Sequence, residues 1–152
     1  RVLHALDELI KITDVNFTVI GGGRTNVVKQ CKKRKYVRFL GRIDNKDLIS
    51  KELCQHNIFI MPSIYETFGL AYVEALFHGL PVICSKGQGI DGFFHSKDMV
   101  VTVNPKSVES IKKAIISLYD TISNYKERPT YSGLNIFFWD KIALQYVELY
   151  SA

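Results

Sequence analysis

Cysteine is scarce in this chain: Cys31, Cys54 and Cys84 are the only three in 152 residues, odd in number and far apart. They form neither a CxxC pair nor a disulfide ladder, so a reducing compartment is expected and a structural zinc is not. His4, His56, His78 and His95 share no ligand spacing with each other or with the cysteines, so no metal is expected either. No apolar run approaches the ~18–20 residues of a membrane-spanning helix. There are no internal repeats and no low-complexity segments. Charge of one sign is in modest supply: 20 Lys plus Arg against 15 Asp plus Glu leave +5. The basic cluster Lys32-Lys33-Arg34-Lys35 has no interleaved aromatics, which argues against nucleic acid as a partner. The chain opens at Arg1 without Met or a signal-peptide pattern, as an excised fragment would. What remains, 47% hydrophobic and 23% charged residues, is the composition of one soluble, cytoplasmic globular domain over 1–152.

Five apolar stretches have strand length: Asn16–Ile20, Tyr36–Leu40, Asn57–Met61, Pro81–Cys84 and Met99–Val103. Turn residues or breakers close four of them, namely Gly21-Gly22-Gly23, Gly41, Pro62 and Asn104-Pro105. Apolar runs without polar alternation fit strands covered on both faces, as in a parallel sheet. Helical stripes lie between them. Leu3, Leu6, Leu9 and Ile10 form the first, and Asp47–Gln55 has helix composition. Leu70, Val73, Glu74 and Phe77 share roughly one face, with Gly79 at the C′ position. Val108, Ile111, Ile115 and Leu118 follow Ser107 as N-cap, and Leu134–Tyr150 reads as the last helix, after a loose connection over Ser123–Gly133. The alternation predicts an α/β domain: a Rossmann-like, doubly wound parallel sheet with helices on both faces.

Ligands of such sheets sit beyond the carboxyl ends of the strands. That selects the loops after Ile20, Leu40, Met61 and Cys84. At Gly21-Gly22-Gly23 the backbone is open to close approach by an anion, and a tight strand-to-helix turn explains the run equally well. It is not a dinucleotide fingerprint, because Asn26 stands where the third glycine belongs. The segment Met61–Ala75 is more specific. Glu66 falls in a loop after a strand, and Glu74, eight positions on, falls in the next helix. Both carboxylates are thereby set at the carboxyl edge of the sheet. Gly69 and Leu70 would offer N–H groups at that helix's positive end. Ionised carboxylates accept from hydroxyls and helix termini favour phosphate, a pairing suited to a nucleotide sugar. Taken singly, Glu66 reads as the start of a helix near its positive end and Glu74 as a solvated helix position.

The stretch resembles the donor-site motif of retaining GT-B glycosyltransferases, the glycogen-synthase-like and glycosyl transferase group 1 enzymes. Their frame P-S-x-x-E-x-F-G-L-x-x-x-E-A-x-x-x-G-x-P-V-I is met by Pro62, Ser63, Glu66, Phe68, Gly69, Leu70, Glu74, Ala75, Gly79, Pro81, Val82 and Ile83. Val19–Gly23, Phe39–Ile43 and Trp139-Asp140 resemble further segments of the family, in order along nearly the whole chain. The resemblance implies the donor-binding half of an enzyme that moves a sugar from a UDP- or GDP-linked donor to a saccharide or lipid-linked acceptor, as in polysaccharide biosynthesis. It implies that Glu66 is catalytic, near the anomeric centre, and that Glu74 binds ribose hydroxyls. Thr67, Phe68, Gly69 and Leu70 would contact the donor, with the Gly69 and Leu70 N–H groups on the distal phosphate. Gly22 and Gly23 would flank the sugar diphosphate, and Arg42 and Ile43 would meet the base edge. The family implies no metal and no cofactor, the nucleotide sugar being substrate.

Two departures stand out. The family's donor domain opens with a further strand and a basic pair, and neither is present before Arg1, nor is the acceptor domain. That strand is central in the usual order, so a gap is expected, filled by self-association or segment exchange, or left loosely packed. The loop Gly89–Phe94 lacks the family's acidic residue, and His95-Ser96-Lys97-Asp98 stands where an Asn-Gly turn is usual, which leaves the sugar open. Alone, the fragment is expected to lack turnover. The alternative reading is a non-catalytic, transferase-like assembly module, and a nicotinamide-dependent domain suffers from the failed glycine fingerprint. Lys32-Lys33-Arg34-Lys35 reads as a solvated helix end, with peripheral contact to anionic lipid as its alternative. Cys84 reads as a buried cysteine. Phe137-Phe138-Trp139 reads as core, or as a crossing to the other domain that would leave apolar surface exposed.

Overall fold

The computed structural model describes residues 1–94 and 99–151. Its elements run α1 (Val2–Leu9), β1 (Phe17–Ile20), α2 (Thr25–Lys32), β2 (Val37–Gly41), α3 (Lys46–Leu53), β3 (Phe59–Ile60), α4 (Leu70–Phe77), β4 (Val82–Ser85), β5 (Val100–Val103) and α5 (Val108–Ser123). A 3-10 turn over Ser132–Phe137 and α6 (Trp139–Ser151) complete the chain. Capping side chains start α3 and α5. The Asn45 side chain accepts from the N–H groups of Asp47 and Leu48 at 2.9 and 3.1 Å, and Ser107 accepts from Ser110 N–H at 3.1 Å. After α4 the chain turns at Gly79, φ +69°, where an added Cβ would meet Pro129 O at 2.8 Å.

All paired strands are parallel. β1 pairs with β2 (Phe17 opposite Val37, Val19 opposite Phe39), and β3–β4–β5 form a second sheet (Ile60 opposite Ile83, Ile83 opposite Val101). β4 is buried along its whole length and divides its side chains between two cores. Val82 and Cys84 pack with Leu53, Tyr72, Leu76 and Leu80 on one face. Ile83 packs with Ala5, Val103, Ile111 and Leu118 on the other, beneath α1 and α5. Helices therefore cover both faces, the doubly wound arrangement expected.

The expected gap is present. β1 and β2 form no ladder with β3–β5 among the described residues. A hollow of about 270 Å³ separates them, lined by Phe17–Ile20 on one side and Ile58–Met61 on the other, with His56 and Leu53 at its end. A second hollow of about 330 Å³ lies beside it under Leu6, Leu9 and Ile115. β3, expected over Asn57–Met61, is two residues long and pairs only with β4.

The C-terminal expectation needs correction. Leu134–Tyr150 is not one helix. Backbone at Phe138 is extended (φ −74°, ψ 136°), so a 3-10 turn ends there and α6 begins afresh at Trp139. Leu134 is buried, and Phe137 packs against Phe68, Phe93 and Phe94. Phe138 and Trp139 do not join the core, being 50% and 82% exposed. No described residue of α6 is buried, which leaves Tyr146, Val147, Leu149 and Tyr150 on an apolar surface. His95, Ser96, Lys97 and Asp98 lie outside the described residues.

Candidate functional site

The residues singled out in the sequence fall into two groups, one on each sheet. Gly22 and Gly23 follow β1, and Arg42 and Ile43 follow β2. The two turns are tied together where Gly21 N–H donates to Gly41 O at 2.7 Å. Gly21 (φ +119°) and Gly41 (φ +71°) occupy conformations that favour glycine, and a Cβ at Gly21, Gly22 or Gly41 would meet nothing within 4 Å. That backbone is open to a ligand. Arg42 is exposed and pairs with Asp44, Nε to Oδ1 at 2.7 Å.

The second group follows β3. Pro62–Gly69 form the loop, and α4 begins at Leu70 behind Gly69 at φ +84°. A Cβ on Gly69 would stand 2.4 Å from the Tyr72 ring, so glycine is required there. The first N–H groups of α4 have no intrahelical partner, and its dipole points their positive end to the same edge. Tyr72, Val73, Ala75 and Leu76 are buried, so Leu70, Glu74 and Phe77 face outward together. Val73 therefore leaves the face it was expected to share with them. Glu74 lies about one helical turn beyond the α4 start, on its solvent side. Glu66 is half-buried, while Thr67 is exposed and Phe68 reaches the aromatic cluster of Phe93 and Phe137. Tyr65 is 89% exposed and Leu70 68%, so this edge is open rather than enclosed.

The loop is braced from below. Tyr72 OH donates to Met61 O, and burial pushes this phenol up to about 12. Ser85 Oγ, itself buried, donates to Ser63 O at 2.5 Å. Glu66 N–H donates to Gln88 Oε1 at 3.1 Å, and Gly89 N–H donates to Glu66 O at 3.2 Å. Sequence reading missed Tyr72, Ser85, Gln88 and Gly89 as supports. Only the glycine at 89, in a loop at the sheet's carboxyl edge, hinted at a close approach.

Other candidates settle into structural roles. Burial, with the Asp91 charge adding to it, pushes the Cys84 thiol up to about 11, which keeps it neutral and inert. Within Lys32–Lys35, Arg34 is engaged with Asp7, whereas Lys32, Lys33 and Lys35 remain exposed. No helix of the described residues is long and apolar enough to cross a membrane.

Comparison with known proteins gives one family. The family model described as Glycosyl transferases group 1 matches residues 1–121. O-antigen chain mannosyltransferase B of Escherichia coli is 29% identical over 128 residues, 82% of this chain and 32% of that protein. Glycogen synthase of Mycobacterium tuberculosis is 25% identical over 143 residues, 89% of this chain and 34% of that protein. Among solved structures, sucrose-phosphate synthase from Thermosynechococcus elongatus superposes with a TM-score of 0.74 at 24% identity, covering 99% of this chain and 41% of that one. The C-terminal domain of a glycosyl transferase group 1 family protein from Francisella tularensis gives 0.63 at 25% identity, covering 95% and 76%. The chain spans less than half the length of the curated relatives it matches.

Proposed function

This chain belongs to the glycosyl transferases group 1 family, and from that premise we propose that it is the donor-binding half of a retaining glycosyltransferase that uses a nucleotide sugar. The observation that carries the reading is the arrangement after β3: a half-buried carboxylate at Glu66, an unsatisfied helix start at Gly69–Leu70 and an outward carboxylate at Glu74, all on one loop-and-helix unit. Glu74 accepts from ribose hydroxyls, and the Gly69 and Leu70 N–H groups hold the distal phosphate. Glu66 sits at the transferred sugar. The glycine backbone at Gly22–Gly23, open at Gly22, flanks the diphosphate, and Arg42 and Ile43 line the base.

In transfer the bond from the anomeric carbon to the diphosphate oxygen breaks, and a bond to the acceptor oxygen forms on the same face. The acceptor proton leaves with the diphosphate. Helix-end N–H groups stabilise the leaving charge, strongest where water is excluded by closure of an acceptor domain on this edge. That closure is also the use we assign to the exposed face of α6. The exposed Lys32, Lys33 and Lys35 suit an acceptor held near anionic lipid.

Isothermal calorimetry with UDP, GDP and their sugars on the two-domain protein tests the reading. Binding of one nucleotide that is weakened by Glu74→Ala is the expected result. No binding of any nucleotide sugar refutes the donor-site assignment.

A further inference from the structure

The peptide of Glu66 is held on both sides by one dipeptide of a different loop. Its N–H donates to Gln88 Oε1 at 3.1 Å, and its carbonyl accepts from Gly89 N–H at 3.2 Å. Gly89 sits at φ +58°, and a Cβ there would lie 3.1 Å from Glu66 Cγ and 2.8 Å from Phe68 O. The turn is thus pressed against the root of the Glu66 side chain.

That turn is braced in its own right. Gln88 N–H donates to Ser85 O and Asp91 N–H to Gln88 O, both at 3.2 Å, and Gly87 N–H donates to Asp91 Oδ2 at 2.6 Å. It springs from β4, which is buried along its whole length. A rigid strand therefore reaches Glu66 through a stiff turn and one side-chain amide. Lys86 and Gly87 are exposed, whereas Gln88 is half-buried with its oxygen turned inward. Without this acceptor the Glu66 N–H would have to find water at a partly buried position.

We propose that Gln88 is a positioning residue for Glu66: its side-chain oxygen fixes the Glu66 peptide and so the approach of the carboxylate to the transferred sugar, an inference that rests on the donor-site reading above. Misplacement of a catalytic group by near 1 Å costs up to about 100-fold in rate, so a support of this kind acts on turnover more than on affinity.

The test uses Gln88→Met, which keeps length and removes the acceptor, and Gln88→Glu, which keeps an acceptor oxygen, in the two-domain protein. Amide hydrogen exchange and donor kinetics are read together. In Gln88→Met the Glu66 amide should exchange about five- to tenfold faster, the loss of one neutral hydrogen bond, while the β4 amide of Val82 keeps its protection. Turnover should fall about tenfold with the donor KM within about twofold, and Gln88→Glu should restore most of both losses. A Glu66 amide already unprotected in the unsubstituted protein overturns the proposal. So does Gln88→Met with unchanged exchange or turnover, or equal loss in both variants with Val82 deprotected. Glu66→Gln, measured alongside, separates the two levels. Unchanged turnover there refutes the role given to Glu66, whereas the exchange data judge the Gln88 contact by themselves.

Discussion

Arg34 grips Asp7 at both carboxylate oxygens, Nε to Oδ1 at 2.7 Å and Nη2 to Oδ2 at 2.6 Å, and Tyr36 OH donates to the same Oδ1 at 2.6 Å. Asp7 belongs to α1, whereas Arg34 and Tyr36 lie in the connection between α2 and β2, so one carboxylate ties α1 to that connection. The Arg34 side chain is 15% exposed and that of Asp7 38%. The guanidinium, helped by the Tyr36 hydroxyl, holds the Asp7 carboxyl at about 2 against an ordinary 3.8. A carboxyl depressed in the folded state stabilises above its unfolded value and loses that contribution as pH falls from about 4 to about 2. Asp7→Asn should therefore cost about 1–2 kcal/mol at neutral pH, allowing for solvent screening. Denaturant melts should show its stability curve running flatter than that of the unsubstituted chain below pH 4.

Much of this architecture is legible in the residues themselves. The run Pro81–Cys84 reads as a doubly covered strand because nothing polar interrupts it, and β4 is that strand, shifted by one residue to Val82–Ser85. Ser107 reads as an N-cap and acts as one. The break at Phe138 was not legible, because Leu134–Tyr150 keeps enough helical periodicity to hide an extended residue. Glu66 and Glu74 stand out by spacing, but the supports of Glu66 do not. Gln88 lies 22 positions away, and its contact depends on two loops meeting, which no local pattern encodes. The pairing of Asp7 with Arg34, 27 positions apart, is hidden for the same reason.

His56 gives a second pH response, at milder acidity. Burial lowers its pKa from the ordinary 6.5, with Arg38 and Arg128 adding to the effect and Glu52, whose Oε2 is 3.9 Å from Nε2, opposing it. The unfolded chain takes up this proton first, so stability falls as pH drops below about 6.5. Thermal melts between pH 7.5 and 5.5 should show a falling midpoint that becomes flatter in His56→Gln. An identical slope in the variant would assign the response to another group.

Glu66 and Glu74 should separate in kinetics. On the donor-site reading proposed above, Glu74→Ala should weaken nucleotide binding about 10- to 100-fold with a smaller change in turnover. Glu66→Ala should lower turnover about 100-fold with donor affinity largely kept. Steady-state kinetics and calorimetry on the two-domain protein check this, and equal effects on both parameters would undo the division of roles.

The slot between β1 and β3 exposes two strand edges, and Ile20 at its rim is 36% exposed. Unpaired edges of this kind recruit other chains. The 152-residue chain should sediment as dimers or larger species at about 50 μM, and Ile20→Lys, which places a charge on the rim, should shift it toward monomer. A monodisperse monomer at that concentration would show that the slot does not drive association.

The divided sheet has a consequence for how the molecule comes apart. Cooperativity in a parallel sheet is transmitted rung by rung, and here the rungs stop between β1 and β3. Among the described residues, the unit around β1 and β2 then meets the rest through α1, packed on α5 and on Ile83 of β4, and through the Arg38–Glu52 pair. Two tiers of local opening should result, the amides of β1 and β2 yielding at a lower free energy than those of β4. A strand laid into the slot would fuse the tiers into one, so that folding and assembly of the ligand edge become a single event.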